Sequence, residues 1–156
     1  MDDLRVPTIP LEAEIRYFDE RPLRGRVFLP PLAHYHTGPM QPDEWMNQGS
    51  TFFPFVPDGG GQAMILNKRY VVVLSVELRD MADEDEEGAL LLPVEVQCGT
   101  LTLRGMVNIE MPENHRRLLD FMNRPELFLL LRDGTRRHLI QKHRITTITE
   151  LAKPEA

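Results

Sequence analysis

The sequence predicts a mainly β chain folded as two tandem five-stranded small barrels, each with a short helical insertion after its second strand. Three observations predict it. One series of short motifs occurs twice in the same order. Leu23-Arg24-Gly25, Trp45-Met46-Asn47, Phe52-Phe53, Asp58-Gly59 and Ile65-Leu66-Asn67-Lys68 are followed by Leu103-Arg104-Gly105, Phe121-Met122-Asn123, Leu127-Phe128, Asp133-Gly134 and Leu139-Ile140-Gln141-Lys142. Equivalent positions of a duplicated chain carry equivalent structural work. Both series place Asp-Gly between apolar runs, the strongest short hairpin signal. Both close on segments rich in β-branched residues, Val71-Val72-Val73-Leu74 and Ile145-Thr146-Thr147-Ile148, which suit a pleated, half-buried surface.

Taken in order, Met1 to Pro10 carries Pro7 and Pro10 without a periodic pattern and reads as a mobile arm. The first unit spans 11–79. Ala13 to Phe18 opens it, with Ile15 and Tyr17 on one face. A second strand runs through Arg26 to Leu29, and the equivalent strand of the second unit runs from Thr102 to Ile109. Gly25 and Gly105 fall inside these strands, where glycine marks a bulge or the sharp bend that closes a small barrel. Helical insertions follow. Pro42 to Asn47 has proline at a first helical position and acids in the first turn, and Asn114 is placed to cap a helix carrying Leu118, Phe121 and Met122. Trp45 and Phe121 read as matching plugs of the two barrels, with a stacking aromatic as the alternative. Third strands (Phe52 to Val56 and Leu127 to Leu131) lead through the Asp-Gly turns to closing stretches at Ala63 to Val76 and His138 to Thr149. Between the units, 80–92 is a linker opening on Asp80-Met81-Ala82-Asp83-Glu84-Asp85-Glu86-Glu87-Gly88, a like-charge block that repels itself and stays solvated. The second unit, 93–151, opens with Pro93 to Gln97, and 152–156 form a tail.

The formal net charge is −6 over 156 residues, which disfavours a chain devoted to holding nucleic acid. The charge is uneven: residues 1–93 carry 8 Lys+Arg against 16 Asp+Glu, and residues 94–156 carry 10 against 8. Cys98 is the single cysteine, so no internal disulfide forms, and neither a membrane-length apolar run nor a signal-peptide pattern is present. A cytoplasmic protein is expected, with no cofactor and no membrane association.

In the second unit, Val94 and Val96, a turn, Leu103-Arg104-Gly105 and Leu139-Ile140-Gln141-Lys142-His143-Arg144-Ile145 form a series that resembles the Sm-like fold. That fold is the five-stranded barrel of Sm and LSm proteins and of the related bacterial RNA chaperone. Lys142-His143 resembles the Lys-His signature of the chaperone's last hairpin. The resemblance implies that these two residues would contact uridine-rich RNA near the pore of a ring. Lys68-Arg69 stands at the matching place of the first unit.

Chemistry-bearing patterns are sparse. His34-Tyr35-His36 could supply two metal ligands with Asp43 or Glu44 nearby, but the flanking Pro30-Pro31 and Gly38-Pro39 mark a loop better suited to touching a partner. His34, Tyr35, His36 and Trp45 are therefore the candidate partner contacts, and no metal is expected. Ser50 and Ser75 lack a nucleophile elbow. Gly59-Gly60-Gly61 lacks the lysine and hydroxyl of a phosphate loop. No catalytic set emerges, and a non-enzymatic role is expected. Two roles are carried forward. One is a protein-interaction or assembly module acting on a protein partner or on copies of itself, since open β edges are templates for pairing. The other is RNA binding through Arg136, Arg137, Lys142, His143 and Arg144, for which the competing reading is a solvated strand face.

Overall fold

The computed structural model describes residues 8–19, 21–30, 40–78, 90–109 and 117–151. In chain order the first half holds β1 (Ile9–Tyr17), β2 (Pro22–Leu29), α1 (Pro42–Asn47), β3 (Phe52–Pro57), β4 (Met64–Asn67) and β5 (Val71–Glu77). The second half holds β6 (Leu90–Cys98), β7 (Leu101–Ile109), α2 (Leu118–Met122), β8 (Phe128–Asp133), β9 (Arg136–Gln141) and β10 (Thr147–Glu150). The ten strands among the described residues join one antiparallel sheet in the order β10-β6-β7-β8-β9-β5-β1-β2-β3-β4.

This corrects the expectation of two tandem Sm-like barrels. The sheet is single and open, so the small-barrel and tandem-module readings, and the ring-pore role lent by the resemblance, lose their structural basis. The cause is the partner that β5 takes. It pairs with β1 on one side and with β9 of the second half on the other, along Val73↔Ile140, Leu74↔Leu139, Ser75↔His138, Val76↔Arg137 and Glu77↔Arg136. The halves are thus successive stretches of one sheet, although each orders its five strands in the same way.

Successive strand residues point to opposite faces, and the middle of the sheet is covered on both. One buried cluster gathers Ile15, Val27, Trp45, Met46, Phe55 and Leu74 with Phe128 and Leu139 contributed by the second half. The other gathers Val94, Val96, Val107, Leu129, Leu131 and Ile140 with Val73 contributed by the first. Neighbouring residues of one strand, Val73 and Leu74 or Leu139 and Ile140, therefore serve different cores, and all four are at most 4% exposed.

Local chemistry sets the element ends. Pro42 opens α1, and Gln41 N donates to Glu44 Oε1 at 3.2 Å, satisfying a donor at the helix start. α2 starts at Leu118 after Arg117 rather than from Asn114, which lies outside the described residues, as does the acidic stretch of the linker. β1 begins at Ile9, inside the segment read as an arm. The closing stretches are not continuous strands. A 3-10 turn over Lys68–Tyr70 separates β4 from β5, with Asn67 Oδ1 accepting from Arg69 N at 2.9 Å, and a second over Lys142–Arg144 separates β9 from β10. Gly134 has φ +60 at the β8–β9 turn, a left-handed conformation that favours glycine.

Candidate interaction edges and the seam between the halves

The β5–β9 seam is held by more than its ladder. Asn47, at the end of α1, lies beside the start of β8 with its amide extended along the backbone there. Its Oδ1 accepts from Phe128 N at 2.8 Å and its Nδ2 donates to Phe128 O at 3.3 Å. Gln141 Nε2 faces the carbonyls of Lys68, Arg69 and Val71 at 3.3, 2.8 and 2.9 Å. Lys68 is 3% exposed, and its Nζ donates to Trp45 O at 2.7 Å, supplying a donor to the last turn of α1. Burial lowers its pKa to about 8, and its ammonium lies 5.1 Å from the Trp45 ring centroid, where the ring face favours a cation.

A hollow of about 170 Å³ opens beside the seam, lined by the polar side chains of Glu14, Arg16, Ser75, Arg136 and His138 and by Val73, Leu101 and Leu103. Ser75 and His138 are cross-strand neighbours. Their Oγ and Nδ1 lie 2.6 Å apart, the hydroxyl donating when the ring proton sits on Nε2. His138 Nε2 is 3.8 Å from Asp133 Oδ2. Burial lowers the His138 pKa and the Arg136 charge adds to the effect, against the opposing pull of Asp133 and Glu14. Arg16 is a further cation on the hollow. The folded protein thus holds this imidazole neutral at a pH where an unfolded histidine, with pKa about 6.5, takes up a proton. The linked stability is fully present above that value and is lost as pH falls through it toward the folded pKa. Urea midpoints are expected to drop on acidification from neutral pH. His138→Gln should remove a slope of up to about 1.4 kcal/mol per pH unit from that window; an unaltered slope would assign the acid sensitivity to other groups.

The structure disperses the basic residues proposed for RNA. Arg136 and Arg137 are adjacent on β9 and so face opposite sides. Arg136 lies 3.7 Å from Glu14 Oε2, whereas Arg137 is buried and donates to Gly134 O at 2.7 Å. Lys142 Nζ donates to Arg124 O at 3.1 Å, leaving His143 and Arg144 exposed on the 3-10 turn. Trp45 is 9% exposed and packs edge-on against Phe53 at 5.1 Å between centroids, within the first core. His34, Tyr35 and His36 lie outside the described residues. Sequence reasoning weighed Ser75 only as a nucleophile and assigned no contact to His138, Asn47 or the side chain of Gln141. The apolar run from Val71 to Leu74 was the available signal, since a strand without alternation is covered on both faces.

The outer strands show a different surface. Among the described residues, β4 pairs only with β3, and β10 only with β6. Ile65 on β4 is 76% exposed and Phe52 on β3 is 59% exposed. Their register partners are Pro54 and Asn67, which makes them diagonal neighbours on the outward face. Near the other end, Leu119 of α2 is 66% exposed, and Phe121 and Met122 are only partly buried against the second core.

No protein-family model, curated protein or solved structure matches the chain. Among the described residues, fold and geometry define a mainly β chain with one open sheet and two short helices. Among the described residues no helix is long and apolar enough to cross a membrane.

Proposed function

We propose that this protein works by self-association through the open edges of its sheet, without catalysing a reaction. The observation that carries the reading is the β3–β4 edge, where Ile65 on β4 and Phe52 on β3 stand 76% and 59% exposed and, among the described residues, β4 pairs with β3 alone. Edge strands that must stay alone are guarded by charge, proline or a bulge. Gln62-Ala63-Met64-Ile65-Leu66-Asn67 has neither charge nor proline. Complete burial of a side chain such as Ile or Phe is worth about 1.5–3 kcal/mol, so a copy covering both residues gains enough to offset part of the cost of association. The Ser75–His138 contact joins two side chains across the seam, which supports a structural role for that pair rather than a nucleophilic one. Cys98 is buried and its thiol pKa is raised by that burial, which fits a protein kept reduced in the cytoplasm.

Sedimentation velocity over a concentration series is expected to show the mean mass rising above the 18.0 kDa of one chain. Ile65→Lys should return it toward that value with an unchanged melting curve, because Ile65 contributes little to the folded core. A constant 18.0 kDa up to high micromolar concentration would overturn the reading.

A further inference from the structure

We infer that copies add head to tail, β10 of one chain pairing with β4 of the next in the register that β5 already uses on β9 inside the chain. The inference rests on self-association through the edges and specifies which edge meets which. The internal seam is its template. β10 stands to β6 as β5 stands to β1: Ile148 lies opposite Val96, and Leu74 lies opposite Ile15. β4 stands to β3 as β9 stands to β8: Asn67 lies opposite Phe52, and Gln141 lies opposite Phe128. The following turns agree as well, Lys68 N donating to Thr51 O at 2.8 Å and Lys142 N to Leu127 O at 2.9 Å.

Placed on this frame, the exposed apolar residues fall where the seam buries theirs. Phe52 occupies the position of Phe128, which is 2% exposed, and Ile65 that of Leu139, which is 0% exposed. In the seam those two residues belong to the same cluster as Trp45 and Met46 of α1. The α2 counterparts, Phe121 and Met122, are the side chains left partly buried. One free end thus offers two apolar residues that need a cover, and the other end offers the cover. Asn123, exposed after α2, matches Asn47 and would reach the Phe52 backbone of the next copy as Asn47 reaches Phe128. The strands are equal in length at four residues each.

One feature of the seam is not reproduced. Asn67, in the place of Gln141, is one methylene shorter, and its Oδ1 accepts from Arg69 N. The contact between copies therefore lacks the triple carbonyl contact of Gln141 and is reversible where the seam is permanent. Because unlike surfaces meet, the assembly is heterologous and grows into a ring or a filament according to whether its rotation closes.

Disulfide trapping tests the arrangement. Thr149 and Met64 take the places of Ser75 and His138, which face each other in the seam, and facing strand positions lie within disulfide reach. Thr149→Cys and Met64→Cys, each in the full chain, should form a covalent dimer when mixed under mild oxidation and little when oxidised alone. Unaltered protein is the control for Cys98. Asn123→Ala should weaken association about tenfold at an unchanged melting temperature. Cross-linking of Met64→Cys alone, or of Thr149→Cys alone, would replace the head-to-tail arrangement by an isologous one. Association without cross-linking in any mixture would overturn this pairing and leave self-association standing. A monomeric mass in sedimentation would remove both.

Discussion

Gly25→Ala is expected to destabilise the protein by about 3 kcal/mol or more, enough to consume a large part of a typical domain's stability. A Cβ built on Gly25 collides with Val56 O and comes within 2.7 Å of the Phe55 ring and 2.8 Å of Pro57 Cα. Two of these obstacles are backbone atoms, which cannot rotate aside, and Phe55 is fully buried. Relief requires moving β2 away from β3, whose pairing consists of Gly25↔Pro57 and Arg26↔Val56. The same argument applies at Gly105, where a Cβ collides with Arg132 O and lies 2.9 Å from Leu131 Cγ. Urea midpoints measure the effect. Gly49→Ala is the control, since nothing lies within 4 Å of its added carbon, and a shift within about 0.5 kcal/mol is expected there. Equal, small losses at Gly25 and Gly49 would show that the sheet relaxes around the extra methyl.

Asn47→Ala is expected to cost about 2–4 kcal/mol, because it strips both a donor and an acceptor from the Phe128 backbone at once. Phe128 is 2% exposed, so water does not readily replace either bond. Asn47→Asp keeps an acceptor for Phe128 N but turns a carboxylate oxygen toward Phe128 O, which now stands 3.3 Å from Nδ2. Its loss should equal or exceed that of alanine. Thermal melts rank the two variants, and hydrogen exchange at the Phe128 amide locates the damage. An Asn47→Ala protein with unaltered Phe128 protection would mean that the start of β8 is held by its ladder alone.

Much of the local architecture could be read from neighbours in the chain. Alternation in Ala13 to Phe18 and Pro93 to Gln97 marked strands, the Asp-Gly pairs marked hairpins, and Pro42 with Asp43 and Glu44 marked a helix start. Gly25 and Gly105 were read as a bulge or a sharp bend, and the structure shows at each a close approach of the neighbouring strand's backbone. The 3-10 turns escaped because Lys68-Arg69-Tyr70 and Lys142-His143-Arg144 carry no glycine or proline to punctuate them. The basic cluster read on the second half was a property of sequence order. On a strand Arg136 and Arg137 part to opposite faces, and the turn directs Lys142 to a carbonyl.

Most strands, the Asp-Gly hairpins and the start of α1 follow from forces acting within a few residues, and the chain order was sufficient to place them. The union of the halves was not legible there, because Ser75 and His138 are 63 residues apart and a five-stranded unit can close on itself or lend its edge to a neighbour with the same alternation. Packing settles that choice. Pairing β5 with β9 buries Val73 and Leu74 in opposite cores and brings Phe128 under α1, burial that a unit closed on itself would forgo.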